Sequence, residues 1–130
     1  MKILGIDYGR KKIGLALLEE TIATPWKVLH VKDFGDALEK VKSACAEASA
    51  DKVVVGISEG EMGEESKKFA LAISHQSLAI VETFDETLST HRAQELSREA
   101  KVARKKRRNL EDAYAAAVML QNYLDSCDKI

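Results

Sequence analysis

The sequence predicts an α/β protein built on a mixed five-stranded sheet, three antiparallel strands plus two parallel ones, with helices on both faces. Two observations support this. The first thirty residues contain short apolar runs separated by tight turns, as in an antiparallel meander. Beyond them, helical spacing alternates with short β-branched runs, the order in which helices connect parallel strands.

The first three elements are predicted as strands. Lys2–Asp7 and Lys12–Leu18 flank a turn over Tyr8–Lys11. Ile22–Val31 contains the chain's one proline, Pro25, which cannot donate a ladder hydrogen bond. We therefore expect this third strand at an edge or at a bulge.

The remaining elements alternate in type. Apolar residues recur at helical spacing from Phe34 to Ala48, and Asp33 is available as the N-cap. The elements predicted after that helix are a strand at Lys52–Ile57, a loop at Ser58–Glu65, a helix at Lys67–Gln76, a strand at Leu78–Thr83, and helices at Thr90–Ala100 and Asn109–Leu124.

Length and composition indicate one cytoplasmic domain covering 1–130. A chain of 130 residues, 45% hydrophobic and 32% charged, suits one globular core rather than disorder. No apolar run approaches the roughly 20 residues that span a bilayer, and the N-terminus reads as a strand, not a signal peptide. Cys45 and Cys127 lack metal-ligand spacing, so we expect two reduced thiols.

Acidic residues occur where strands end. Asp7 closes the first strand, and its side chain would project into the cleft where α/β proteins bind ligands. Asp85 and Glu86 follow the strand that ends near Phe84. Aspartate is also common in turns, and acids before a helix also complement its dipole, so each feature alone permits a purely structural interpretation.

Asp112 is more informative because its helix can be drawn. It aligns with the apolar column of Ala116, Met119 and Tyr123, whereas Glu111 faces solvent. A capping box with Asn109 is the structural alternative. We interpret Asp112 as functional.

Three converging acids suit phosphodiester hydrolysis. Carboxylates can hold a pair of Mg²⁺ ions that neutralise the phosphate and activate water. We also expect Gly9 and Gly14 to let a phosphate approach the backbone closely.

Positive charge is concentrated in one segment although the formal net charge is −1. Residues 101–108 carry six basic side chains and no acid, four residues before Asp112. A solvated surface is the usual role of such a run, but its position favours contact with substrate phosphates. The nucleic-acid-binding residues that we expect are Lys11, Lys12, Arg104, Lys105, Lys106, Arg107 and Arg108.

A series of short motifs resembles the YqgF family of Holliday-junction-resolvase-like proteins, also called pre-16S rRNA nucleases. The motifs cover nearly the whole chain in order. They are Ile6–Gly14, Ile22–Pro25, Val53–Gly56, Asp85–Thr90, Arg104–Arg107, Asp112–Ala116 and Leu120–Leu124.

The resemblance implies an RNase H-like fold and a metal-dependent nuclease that matures the 5′ end of 16S rRNA, with Mg²⁺ or Mn²⁺ as cofactor. It implies Asp7, Glu86 and Asp112 as the catalytic and metal-binding residues. Nucleic acid is then the partner, without a membrane; a homodimer and a ribosomal precursor particle stay open as further partners.

Departures from the family pattern concern the substrate more than the chemistry. Lys12 stands where arginine is usual, Thr87 replaces an arginine, and Ser58 replaces a proline. Two alternatives stay open: a resolvase acting on branched DNA, and a non-catalytic RNA-binding or assembly module. An actin-like or Hsp70-like ATPase would need two such domains, which 130 residues cannot supply.

Overall fold

The fold is described from a computed structural model, in which residues 1–77, 79–85 and 111–127 are described. These ranges contain five strands and three helices. They are β1 (Lys2–Asp7), β2 (Lys12–Glu19), β3 (Ile22–His30), α1 (Phe34–Ala48), β4 (Lys52–Ile57), α2 (Gly60–Gln76), β5 (Ile80–Asp85) and α3 (Glu111–Cys127).

The five strands form one mixed sheet in the order β3-β2-β1-β4-β5. β1 pairs antiparallel with β2 and parallel with β4, and β5 extends the parallel half. The expected architecture is confirmed. β1 lies at the centre of the sheet, where hydrogen bonds on both sides hold its backbone.

The two faces of the sheet bury separate cores. On one face, Leu4 and Ile6 of β1 pack with α1 and α2, and Phe69 of α2 is completely buried there. On the other face, Ile3 of β1 packs with α3, whose Leu120 is completely buried. Consecutive residues of β1 therefore point alternately to α3 and to the α1–α2 layer.

Individual residues explain the irregularity in β3 and the start of α1. The register of β3 on β2 shifts between Leu15 and Ala16, next to Pro25, so the proline lies at an irregularity of an edge strand as expected. The Asp33 side chain accepts a hydrogen bond of 2.8 Å from the Asp36 amide, which confirms the predicted cap of α1.

The prediction of a loop over Ser58–Glu65 is wrong, because α2 begins at Gly60. Its early buried positions are Gly63 and Ser66, so no apolar pattern marks them. A Cβ on Gly63 would lie 1.9 Å from the Ser58 carbonyl oxygen, so the first turns of α2 lie directly on the preceding backbone.

The second correction concerns β5, which runs to Asp85 and not only to Thr83. Its parallel ladder with β4 continues to the Ile57–Asp85 pair, so Asp85 belongs to the strand itself. The apolar pattern weakens before the ladder ends, which is why the sequence prediction stopped short.

Several predicted features lie outside the described residues: the Thr90–Ala100 helix, the basic run and Asn109. Cys45 is buried and Cys127 exposed, and both are free. Among the helices that are described, none has the length and apolarity needed to cross a membrane.

Candidate active site

Asp7 is the last residue of the central strand. Ile3 packs against α3, and a Cβ on Gly5 would lie 3.0 Å from the Leu120 side chain, so the odd-numbered residues of β1 face α3. Alternation puts Asp7 on that face. Its side chain is half-buried at the end of the sheet.

Asp112 reaches the same place from the other end of the chain. Gly14 of β2 pairs directly with Asp7. A Cβ on Gly14 would lie 1.8 Å from the Asp112 carbonyl oxygen and 2.7 Å from the Ala113 amide nitrogen. The first turn of α3 therefore lies on Gly14, beside Asp7.

The packing of α3 confirms the predicted orientation of its faces. Ala116, Met119 and Tyr123 are buried against the sheet, Asp112 is half-buried in line with them, and Glu111 is exposed. The structure thus brings Asp7 and Asp112 to one face of the sheet at one end.

Asp85 lies on the opposite face. Phe84 packs against the α3 core and Val81 against the α1–α2 core, so the side chains of β5 alternate in the same way. Asp85 lines a cleft of about 350 Å³ with Ser58 and Lys67, at the start of α2. It is therefore separated from Asp7 by the sheet, and Glu86 lies outside the described residues.

The pair of carboxylates suits a hard cation. Asp7 and Asp112 offer oxygen ligands of the kind that Mg²⁺ takes, and few protein carboxylates are needed beside substrate oxygens and water. Within residues 1–77, 79–85 and 111–127, no three His, Cys, Asp or Glu side chains form a group that could hold a metal.

The two lysines near Asp7 lie in different places. Lys12 is exposed and, two residues before Gly14 on β2, belongs to the face of Asp7. Lys11 is also exposed, but it lines a groove with Tyr8 and Phe34 on the α1–α2 side. The five basic residues Arg104–Arg108 lie outside the described part of the chain.

The expected role of two glycines needs correction. A Cβ on Gly9 would lie 2.4 Å from the Lys12 carbonyl oxygen, and the space over Gly14 is filled by α3. Protein backbone, not phosphate, occupies both positions. Gly14 is the site residue that sequence reasoning misjudged, since its contact partner lies almost a hundred residues away.

A polar network anchors the other end of α3. The Tyr123 hydroxyl donates to Glu82 at 2.7 Å, Lys52 donates to Tyr123 at 2.6 Å, and Lys52 and Glu82 form an ion pair. Hydrogen bonds from Lys52 and Tyr123 hold the pKa of Glu82 below its usual value, and mainly burial raises the pKa of Tyr123 to about 12. The network ties α3 to β4 and β5.

The fold is that of RNase H-like nucleases. Thermus thermophilus RuvC, solved in complex with a Holliday junction substrate, superposes with a TM-score of 0.66 over 98% of this chain and 95% of that one. Sequence identity is only 16%, so this similarity shows the fold. The RNase H-like sheet, with Asp7 at the end of its central strand, defines the fold class of the protein.

The family follows from sequence. A family model described as "RuvX: Holliday junction resolvase" matches residues 1–126, and the chain belongs to this nuclease family. A protein of Bacillus pumilus named "Putative pre-16S rRNA nuclease" is 34% identical over 97% of this chain and 99% of its own length. One of Bacillus licheniformis with the same name is 35% identical, covering 97% and 98%. The resemblance inferred from short motifs is confirmed.

Proposed function

We propose that this chain is a metal-dependent nuclease that hydrolyses a phosphodiester bond of pre-16S rRNA during ribosome biogenesis. The observation that carries the proposal is the packing of Asp112 on Gly14, which brings a second acid beside Asp7. The names of the full-length relatives support the substrate.

Asp7, Glu86 and Asp112 are the proposed ligands of Mg²⁺ or Mn²⁺. Bound metal would neutralise charge on the phosphate and lower the pKa of an attacking water. Asp85 is a poor candidate because its side chain lies on the far face of the sheet. Successive strand residues alternate in direction, and this favours the neighbouring Glu86 as the third acid.

Basic side chains would hold the substrate. Lys12 lies on the face of the sheet that carries Asp7, here called the acid face, and Lys11 lies at the turn that follows Asp7. We include Arg104–Arg108 because they precede Asp112 closely in sequence. Contacts with the phosphate backbone position a substrate without reading its sequence.

A branched DNA junction is the second candidate substrate, because the matching family model is described as a Holliday junction resolvase. Both substrates would use the same acids. The proposal is therefore tested with pre-16S leader RNA beside a four-way DNA junction. Faster cleavage of the junction would show that branched DNA, not rRNA, is the substrate. The assignment of the catalytic acids would be unaffected.

The first prediction concerns the acids themselves. Asp7→Asn should abolish cleavage in Mg²⁺ or Mn²⁺ and leave the fold intact, since one carboxylate oxygen is replaced by an amide that cannot act as an anionic ligand. Asp112→Asn should behave alike. Glu111→Gln, one residue away and exposed, is the matched control and should cleave normally.

Metal binding provides a readout besides activity. In the wild type, Mn²⁺ should raise the melting temperature, because a ligand that binds the folded state stabilises it. That increase should disappear in Asp7→Asn and persist in Glu111→Gln. Undiminished cleavage by a folded Asp7→Asn protein would refute the assignment.

A further inference from the structure

A groove lies on the α1–α2 side of the sheet, next to the end of β1. It has a volume of about 420 Å³ and forms between the turn after β1, the start of α1 and the face of α2. Tyr8, the residue after Asp7, lines it and packs against the α1–α2 core. The groove is thus one residue from Asp7 along the chain but on the other face.

Aromatic side chains form its apolar part. The Tyr8 ring lies 4.8 Å from that of Phe69, tilted by 32°, and the Phe34 ring meets Phe69 edge-on at 5.9 Å. Phe69 is completely buried and holds the other two in place, whereas Phe34 is 41% exposed. An exposed, rigidly backed aromatic ring is a platform on which a planar ligand can stack.

Cationic side chains border this platform. Lys11, Lys32 and Lys68 line the groove, and none of the three ammonium groups forms an ion pair with another described residue. The remaining basic residue, Arg10, is neutralised by Glu65, whose carboxylate accepts two hydrogen bonds from the Arg10 Nε at 3.0 and 2.9 Å.

The acidic groups of the groove are already engaged. Glu65 holds Arg10, whose hydrogen bonds keep the pKa of Glu65 below its usual value. Asp33 caps α1 through the Asp36 amide. Four basic side chains against these two carboxylates leave the groove with a net positive charge, which makes it complementary to an anion that also carries a flat apolar surface.

We propose that this groove binds a single-stranded segment of the nucleic-acid substrate, with a base on Phe34 and Tyr8 and its phosphates against Lys32 and Lys68. A duplex hides the faces of its bases in the stack, so the groove selects an unpaired region. A strand leaving the acids would reach it around the turn after Asp7. The inference rests on the proposed nuclease function and adds a second binding site to it.

The test measures binding without cleavage. The probes are a fluorescein-labelled oligouridine RNA of about 12 nucleotides and a blunt RNA duplex of similar length, in metal-free buffer, with fluorescence anisotropy as readout. Phe34→Leu should weaken binding of the single strand at least about five-fold, because stacking is lost while an apolar residue stays. Binding of the duplex should stay unchanged.

Lysine variants provide an independent measurement if Phe34→Leu destabilises the fold. Lys32→Gln with Lys68→Gln should lower the slope of log affinity against log salt by about 1.4, or ~0.7 for each phosphate contact. Lys42→Gln is the control for charge and Ile22→Ala for exposed apolar surface; both residues are exposed and outside the groove. Both controls should bind as the wild type does.

The outcomes distinguish failure of the groove proposal from failure of the proposed nuclease function. Wild-type affinity and salt slope in the groove variants would overturn this proposal, even if Asp7→Asn abolishes cleavage, and would leave the groove to a different partner such as an acidic peptide. Weakened binding in the groove variants would support it, even if Asp7→Asn still cleaves and the acid assignment fails.

Discussion

Gly14→Ala should inactivate the enzyme because it displaces the first turn of α3, although it removes no carboxylate. The added methyl would lie 1.8 Å from the Asp112 carbonyl oxygen, whereas ordinary contact begins near 3.4 Å. The first turn of α3 would have to move by roughly 1.6 Å, since the obstacle is backbone that cannot change rotamer. Asp112 would move away from Asp7 with it.

The effect of Gly14→Ala can be bounded separately for stability and for the rate of cleavage. Overpacking of this kind typically costs about 1–3 kcal/mol of stability, so most of the protein should still fold. A displacement of about 1 Å in a catalytic group can cost on the order of 100-fold in rate. We therefore expect a fall in cleavage much larger than the fraction of protein that unfolds explains.

Gly5→Ala is the matched control, because Gly5 lies on the same face under the same helix. The three atoms nearest to its added methyl all belong to the Leu120 side chain, at 3.0 to 3.3 Å, and a leucine side chain can adjust. This variant should lose stability and keep its rate per folded molecule. Thermal denaturation, Mn²⁺-dependent stabilisation and cleavage of leader RNA measure the comparison. A folded Gly14→Ala protein with wild-type cleavage would refute the argument that Gly14 positions Asp112.

Three further predictions concern other parts of the chain. Glu86→Gln should eliminate cleavage and Asp85→Asn should reduce it only modestly, as compared by single-turnover rates on folded protein; the reverse ranking would contradict the face assignment of β5. Neutralising Arg104–Arg107 should lower the salt slope of RNA binding by about 0.7–0.9 for each lost phosphate contact, and an unchanged slope would mean that this run is only solvated. The pKa of Glu82 is lowered mainly by Lys52, so its stabilising contribution is present at neutral pH and is lost as the pH falls below the usual value of 4.5. Glu82→Gln should therefore flatten the loss of stability that thermal denaturation shows as the pH falls below about 4.5; a curve with the wild-type slope would show that the ion pair contributes nothing.

Sequence alone predicted the sheet well where the signals are local. The first two strands begin where predicted because alternation and a tight turn act between near neighbours, and Asp33 caps α1 through an amide three residues away. The apolar column of α3 was equally clear, because helical periodicity shows which face packs on the sheet. Asp7 and Asp112 could therefore be predicted as site residues from the sequence.

Long-range contacts explain what the sequence did not reveal. The start of α2 was missed because Gly63 and Ser66 occupy its buried positions, and a Cβ on Gly63 would meet the Ser58 carbonyl oxygen. The role of Gly14 depends on Asp112, which no local pattern connects to it. The groove is lined by Phe34 and Lys68 from two different helices, so no spacing along the chain could predict it.

Asp7 and Tyr8 show how a single strand end can serve both faces of the sheet. β1 is central and hydrogen-bonded on both sides, so the backbone that leads into Asp7 and Tyr8 is held by two neighbouring strands. A slip of one residue in its register would exchange the two side chains between the acid face and the groove. Pairing with Gly14 sets that register. Because a residue with a Cβ opposite Asp7 would collide with α3, the correct register is also the one that lets Asp112 approach.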